Sequence, residues 1–145
     1  MVEELLSFDV EKVAPAMIMV AGVGGAGGNA VNHMYDLGIK DVSFMVANTD
    51  KQALDNSLVP IKVQLGTGLG AGNHPDKGRS AAIDSLDEIT EILKTQEVKM
   101  LFVTAGMGGG TGTGAAPVIS KAAKDMGILT VGIVTMPYST EGPYR

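Results

Sequence analysis

A chain of 145 residues, 45% of them hydrophobic, is long enough to bury roughly 70% of its unfolded surface as one domain. Its formal charge of −5, with no stripe of Lys or Arg, argues against a nucleic-acid partner, whose phosphates demand clustered cations. The lack of cysteine excludes disulfides and zinc–thiolate sites, and His33 and His74 have no second ligand at metal-like spacing, so each reads as a surface or helix-end residue and no metal is expected to be held by side chains.

Residues 1–13 mix acids with Leu5, Leu6 and Phe8 and read as a loosely held tail, leaving residues 14–145 as the domain. The acidic start is no signal peptide and no apolar run approaches the ~20 residues of a membrane span, so the expectation is a cytoplasmic chain with no direct membrane insertion. Met17 to Ala21 is a continuous apolar run of strand length that passes into Gly22-Val23-Gly24-Gly25-Ala26-Gly27-Gly28-Asn29. Ala30 to Leu37 then carries Val31, Met34 and Tyr35 on helical spacing, with Gly38 at the position of a helix C-cap. Val42 to Ala47 reads as a second buried strand, ending in Asn48-Thr49-Asp50 and followed by a short helix from Lys51 to Asn56. Ile61 to Leu65 predicts a third strand, which opens into another glycine-rich run from Gly66 to Asn73. One long helix is predicted from Gly78 to Thr95, with Ala82, Leu86, Ile89 and Leu93 along its buried face and Asp84, Asp87, Glu88 and Glu91 in solvent.

Met100 to Ala105 is a fourth apolar strand, and it leads into the densest glycine run of the chain, Gly106 to Gly114, reading GMGGGTGTG. Ala115 to Met126 follows as a helix with Pro117 in its first turn, Gly127 ends it, and Leu129 to Thr135 gives a fifth strand. Strands alternating with helices imply an α/β domain, a three-layer Rossmann-like parallel sheet with helices on both faces, whose strands all end on one edge. The glycine runs follow strands, so they gather along that edge and read as one site. Met17, Met19, Met34, Met45, Met100 and Met126 fall inside elements and are expected to fill core space, whereas Met107 and Met136 border the ligand loops.

The chemistry of that edge points to phosphate. Gly108, Gly109 and Gly110 have no Cβ to block convergence of their N–H groups on one point, and the helix N-terminus behind them adds unpaired donors and a positive dipole end. Thr111 and Thr113 add hydroxyls for phosphate oxygens or a hydrated metal ion. No lysine follows the last glycine as a P-loop requires, so backbone dipoles and a cation must meet the phosphate charge. Gly22, Gly24 and Gly27 also satisfy the GxGxxG fingerprint of a dinucleotide (NAD/FAD)-binding oxidoreductase, with Asp50 a passable ribose acceptor. That alternative leaves the glycine runs after strands three and four unexplained, since one pyrophosphate needs one such turn. A non-catalytic scaffold is disfavoured because such loops offer little side-chain area for binding hot spots.

The run GGGTGTG, Gly108 to Gly114, resembles the signature loop of the tubulin/FtsZ GTPase superfamily, and the likeness extends to GVGGAGGNAVNHM from Gly22, VANTDKQAL from Val46, GLGAGNHPDKG from Gly68, AKDMGILTVGIVT from Ala123 and EGPYR from Glu141. The resemblance implies a strand order of 3-2-1-4-5, GTP or GDP with Mg2+ as ligands, and head-to-tail self-association of the whole protein into filaments of the bacterial division ring at mid-cell, where anchoring proteins would join it through segments outside this sequence. Carried over residue by residue, it implies nucleotide contacts from Gly24, Gly25, Ala26, Gly27, Gly28 and Asn29, from Asn48 and Asp50, from Gly70, Ala71 and Gly72, and from Gly108, Gly109, Gly110, Thr111, Gly112 and Thr113, with Glu141 and Arg145 at the ribose. The stretch before Gly68 is shorter than in the family, and Tyr138-Ser139-Thr140 replaces a phenylalanine-rich segment. In the family, hydrolysis occurs between subunits and uses acids of a second domain. No catalytic residue is therefore expected in this chain, an incomplete GTP-binding domain that alone should hydrolyse GTP negligibly. The unpaired edge beside the fifth strand is expected to be open to pairing with another chain.

Overall fold

The computed structural model describes residues 17–141, so the expected tail over residues 1–13 lies outside the described residues. In chain order the elements are β1 (Ile18–Val23), α1 (Gly24–Asp36), β2 (Val42–Asn48), α2 (Lys51–Asp55), β3 (Ile61–Gln64), α3 (Pro75–Asp84), α4 (Leu86–Thr95), β4 (Met100–Gly106), α5 (Thr111–Asp125) and β5 (Leu129–Thr135), followed by a 3-10 turn at Ser139–Glu141. The five strands form one sheet, β3-β2-β1-β4-β5, every pair parallel, in the order the resemblance implied.

Alternation along the strands divides the core into two layers. Met19, Ala21 and Val23 of β1, Met45 and Ala47 of β2, and Leu101, Val103 and Ala105 of β4 pack against Ala82 of α3, Ile89 and Leu93 of α4, and Ile119 and Ala123 of α5. Val20, Phe44 and Val46 point to the other face and meet Val31 of α1 and Leu54 of α2. The central strands are thus apolar on both faces, as a parallel sheet covered by helices requires. β5 is an edge strand of another character: Leu129, Ile133 and Val134 are all exposed. Met19 and Met45 are fully buried as expected, but Met17 and Met126 are exposed, because Met17 precedes the first strand and Met126 caps the end of α5.

Three expected element boundaries are corrected. α1 begins at Gly24 rather than Ala30, and α5 at Thr111 rather than Ala115, so most of the first expected glycine loop and the last four residues of the other are already helix. The reason is close approach. A Cβ on Gly27 would overlap the Thr104 carbonyl oxygen of β4, and one on Gly112 would lie 2.6 Å from the Gly106 oxygen. Each glycine lets a first helical turn fold back against the sheet. Pro117 consequently sits inside α5 rather than in its first turn, and the Thr113 carbonyl lacks its i+4 donor there. The predicted helix from Gly78 to Thr95 starts at Pro75, a favoured first-turn proline, and is broken into α3 and α4 at Ser85, whose hydroxyl donates to the Gln64 carbonyl of β3 at 3.3 Å.

Candidate functional site

The C-terminal ends of the strands open on a cleft of about 590 Å³. Its first wall needs no loop, because Val23 ends β1 in extended geometry and caps α1 while Gly24 turns the chain at φ +76°. A Cβ on Gly24 would sit 3.0 Å from the Gly112 amide nitrogen, so the N-termini of α1 and α5 adjoin. Two helix starts with unpaired N–H groups therefore face the same volume.

The second wall is Asn48-Thr49-Asp50 after β2. The Asp50 amide donates to Asn48 Oδ1 at 3.2 Å, and Asp50 Oδ1 accepts from the amides of Gln52 (2.9 Å) and Ala53 (3.4 Å), which caps α2. The third wall, the run after β3, is pinned to the second: the Lys51 amide donates to the Gly68 carbonyl at 3.0 Å and the Gly70 amide to the Thr49 carbonyl at 2.9 Å. Gly68, Gly70 and Gly72 all have positive φ, at 85°, 88° and 56°, a backbone path that other residues resist. In the fourth wall, the Met107 amide donates to the Thr135 carbonyl at 2.8 Å and the Gly108 amide to Thr113 Oγ1 at 2.8 Å. Gly110 lies so close to the third wall that its Cβ would be 2.8 Å from Ala71 Cβ and 2.9 Å from the His74 amide nitrogen.

Of the residues singled out in the sequence, Gly24, Gly25, Ala26, Asn48, Asp50, Gly70, Ala71, Gly72, Gly109, Gly110, Thr111 and Gly112 line this cleft, with Met107 and Met136 at its border as expected. Gly28 and Asn29 line instead a cavity of about 50 Å³ next to it, shared with Asn32, Asn48 and Ser57. Gly27, Gly108 and Thr113 lie outside the cleft lining. Gly27 packs on β4, and Thr113, expected to offer its hydroxyl to a ligand, instead braces Gly108. The side chain of Glu141 and all of Arg145 lie outside the described residues.

Sequence reasoning did not single out Asn73, Thr135 or Pro137, which also line the cleft, as does Thr49, the middle of the Asn48-Thr49-Asp50 stretch expected to meet the nucleotide. Thr135 ends a strand, and that rule alone could have found it. Thr49 is buried, and its Oγ1 lies 2.6 Å from Thr111 Oγ1. Among the described lining residues Asp50 is the only charged one. Main-chain amides and hydroxyls are thus left to meet an anion, and a cation bound beside it would find hard oxygen donors in Asp50 and the hydroxyls of Thr49 and Thr111, the kind Mg2+ takes. No cluster of three or more His, Asp or Glu able to hold a metal exists among the described residues.

Fold and cleft together define a doubly wound α/β domain with an anion-ready edge. A family model described as the Tubulin/FtsZ family, GTPase domain, matches residues 17–145. The cell division protein FtsZ of Porphyromonas gingivalis is 54% identical, with the match covering 98% of this chain and 32% of that protein, and its counterpart in Aquifex aeolicus is 53% identical over 93% of this chain and 37% of its own length. Among solved structures, a W319Y mutant of FtsZ from M. jannaschii aligns over 99% of this chain and 43% of its own, at 40% identity and a TM-score of 0.85. CetZ2 from Haloferax volcanii, described as a GTPgS-bound protofilament, aligns over 88% of this chain and 42% of its own, at 28% identity and a TM-score of 0.78. The chain belongs to the tubulin/FtsZ family of GTPases. It spans about a third of the length of the curated relatives it matches. The dinucleotide oxidoreductase alternative finds no support: the glycine turns after β3 and β4 share one cleft with the first, and the matching family is a GTPase family.

Proposed function

We propose that the chain binds GTP and GDP in this cleft as the N-terminal part of a protein that polymerises head to tail in the bacterial division ring. The observation that carries the reading is the convergence of four strand ends on one donor-rich cleft in which the only charged lining side chain among the described residues is Asp50. The polyphosphate lies against the N-terminal turns of α1 and α5 and the amides of Gly109 and Gly110, with Gly70 to Gly72 closing over its terminal group. The base turns toward the amide side chains of Asn29, Asn32 and Asn48 around the smaller cavity. Glu141 and Arg145 hold the ribose, Gly27 seats the first turns of α1 on β4, Gly28 borders the smaller cavity, and Gly108 and Thr113 brace the turn before α5. When bound, Mg2+ supplies charge neutralisation at the phosphates. Thr111 Oγ1 and Asp50 are the side-chain oxygens available to it or its waters, and Asp50 keeps its carboxylate in place by capping α2.

Hydrolysis needs groups that position an attacking water within hydrogen-bond reach, and we assign these to a second domain of a neighbouring subunit. The chain alone turns over GTP negligibly; turnover by the pure chain that disappears in Thr111→Ala would overturn this part. Division-ring filaments in the cytoplasm, with anchoring proteins bound elsewhere on the whole protein, complete the reading. No described helix is long and apolar enough to cross a membrane. The test is a thermal-shift titration with GTP, GDP, ATP and NAD, each with Mg2+. Ligand at 100 times its Kd adds about 2.7 kcal/mol, a rise in Tm of roughly 5–10 °C for a domain of this size. Shifts with GTP and GDP but not NAD support the reading, and a shift with NAD alone or with no nucleotide overturns it.

A further inference from the structure

We infer that Thr49 is a positioning residue that sets how the Thr111 hydroxyl meets the ligand, offering its proton to a phosphate oxygen or its lone pair to the accompanying cation. The inference rests on the nucleotide reading above. Thr49 is only 4% exposed, and its Oγ1 lies 2.6 Å from Thr111 Oγ1, at the short end of the range for paired hydroxyls. Its carbonyl accepts the Gly70 amide at 2.9 Å, so this one residue ties the turn after β2 to the turn after β3 and to the start of α5. On either side, Asn48 holds the Asp50 amide and Asp50 caps α2, so the Thr49 backbone is fixed before any ligand arrives. Thr111 is half-buried as the first residue of α5 and lines the cleft. One hydroxyl is therefore held at the back of the site and the other stands at its front.

Counting protons gives the device its function. Two hydroxyls carry two protons, and the bond between them uses one. When Thr49 donates, Thr111 keeps its proton for a phosphate oxygen. Were the Thr111 oxygen to hold a cation or one of its waters, the Thr111 hydroxyl would be a stronger donor and would turn its proton onto Thr49 Oγ1. Among the described residues, no other side-chain hydrogen bond of Thr111 is present to accept it. The Thr49 oxygen is thus dispensable for phosphate alone and needed when the cation is present. A merely structural staple would matter equally in both cases.

The test is GTP affinity with and without Mg2+ for the chain and for Thr49→Val, Thr49→Ser, Thr111→Val and the double Val variant, each first checked for a cooperative melt without ligand. The expected result is that Thr49→Val loses about tenfold of the Mg2+-dependent gain, the scale of one hydrogen bond to a charged group, with less than about threefold change in Mg2+-free affinity. Thr49→Ser restores the gain, and adding Thr49→Val to Thr111→Val costs nothing further. An intact Mg2+ gain in Thr49→Val, equal losses with and without Mg2+, or additive losses in the double variant would each overturn the inference while leaving the nucleotide reading standing. No GTP binding by the unsubstituted chain would overturn both. Thr49→Cys, which keeps a side chain of similar volume but weakens the hydrogen bond, carries the same comparison where Thr49→Val does not fold.

Discussion

Replacing Gly114 by alanine tests the packing that carries the cleft. Gly114 is buried in α5 where α3 crosses it, and a Cβ there would overlap the Pro75 carbonyl oxygen while standing 2.6 Å from the Arg79 amide nitrogen and 2.9 Å from the Pro75 carbonyl carbon. All three atoms are backbone, so no rotamer change relieves the clash. The facing Gly78 meets α5 in the same way, its Cβ position lying 2.5 Å from the Gly110 oxygen and 2.9 Å from Thr111 Cα. The helices must separate by about 1 Å or more, a case of overpacking that costs ~3 kcal/mol. Alanine's better helix propensity offsets about 1 kcal/mol of this, leaving a net loss near 2 kcal/mol. For a domain of this size that lowers Tm by roughly 4–8 °C. Gly28→Ala is the control, since Gly28 lies in α1 without positive φ and its Cβ would meet nothing within 4 Å. That change should raise Tm by about 2–4 °C through helix propensity alone. Urea titration followed by far-UV circular dichroism reads both, with the midpoint moving and the slope unchanged. A Gly114→Ala variant as stable as the unsubstituted chain would refute the close crossing of α3 and α5.

Asp50→Ala removes the cap of α2 and should cost about 1 kcal/mol in the same urea assay, whereas Asp50→Asn, which keeps a capping oxygen, should cost a few tenths; equal losses would mean that charge rather than the cap matters. Leu101→Ala, at a fully buried position of β4, should cost about 2–5 kcal/mol, while Leu129→Ala on the exposed edge strand should stay below ~1 kcal/mol, and comparable losses would show that something covers β5. Binding of GTP should be insensitive to salt or strengthen slightly between 20 and about 150 mM NaCl, because the chain carries a formal charge of −5 and screening weakens its repulsion of an anion. A several-fold loss over that range, measured by fluorescence titration, would instead indicate a cationic group at the phosphates.

The sheet was readable because each central strand is a short, mainly apolar run, broken within β2 only by Ser43 and within β4 only by Thr104, and that is close to the pattern a strand buried on both faces requires. Boundaries failed where glycine was taken as loop. Gly25 and Gly28 are helical residues with open space around them, Gly27 and Gly112 are helical residues pressed against strands, and only some of the glycines, such as Gly70 at φ +88°, form true turns. Composition cannot separate these roles, since each rests on the absence of the same Cβ. Ser85 was equally opaque. Nothing in a helical pattern running from Ala82 to Leu93 signals that its hydroxyl will bond the end of β3 and split the helix.

A chain with net negative charge can nevertheless be built to hold a polyphosphate, and the arrangement of its loops indicates how. Lysine or arginine at the cleft would attract any anion from a distance. The described lining instead leaves recognition to main-chain amides and hydroxyls, which act only at hydrogen-bond range and only where the backbone is already in place. Such a site depends on rigidity more than on charge. That requirement accounts for the bonds that tie one turn to the next: Gly70 to the Thr49 carbonyl, Thr49 to Thr111, Gly108 to Thr113 and Met107 to the Thr135 carbonyl. A change that loosens these ties should therefore weaken binding even when it removes no group that touches the ligand.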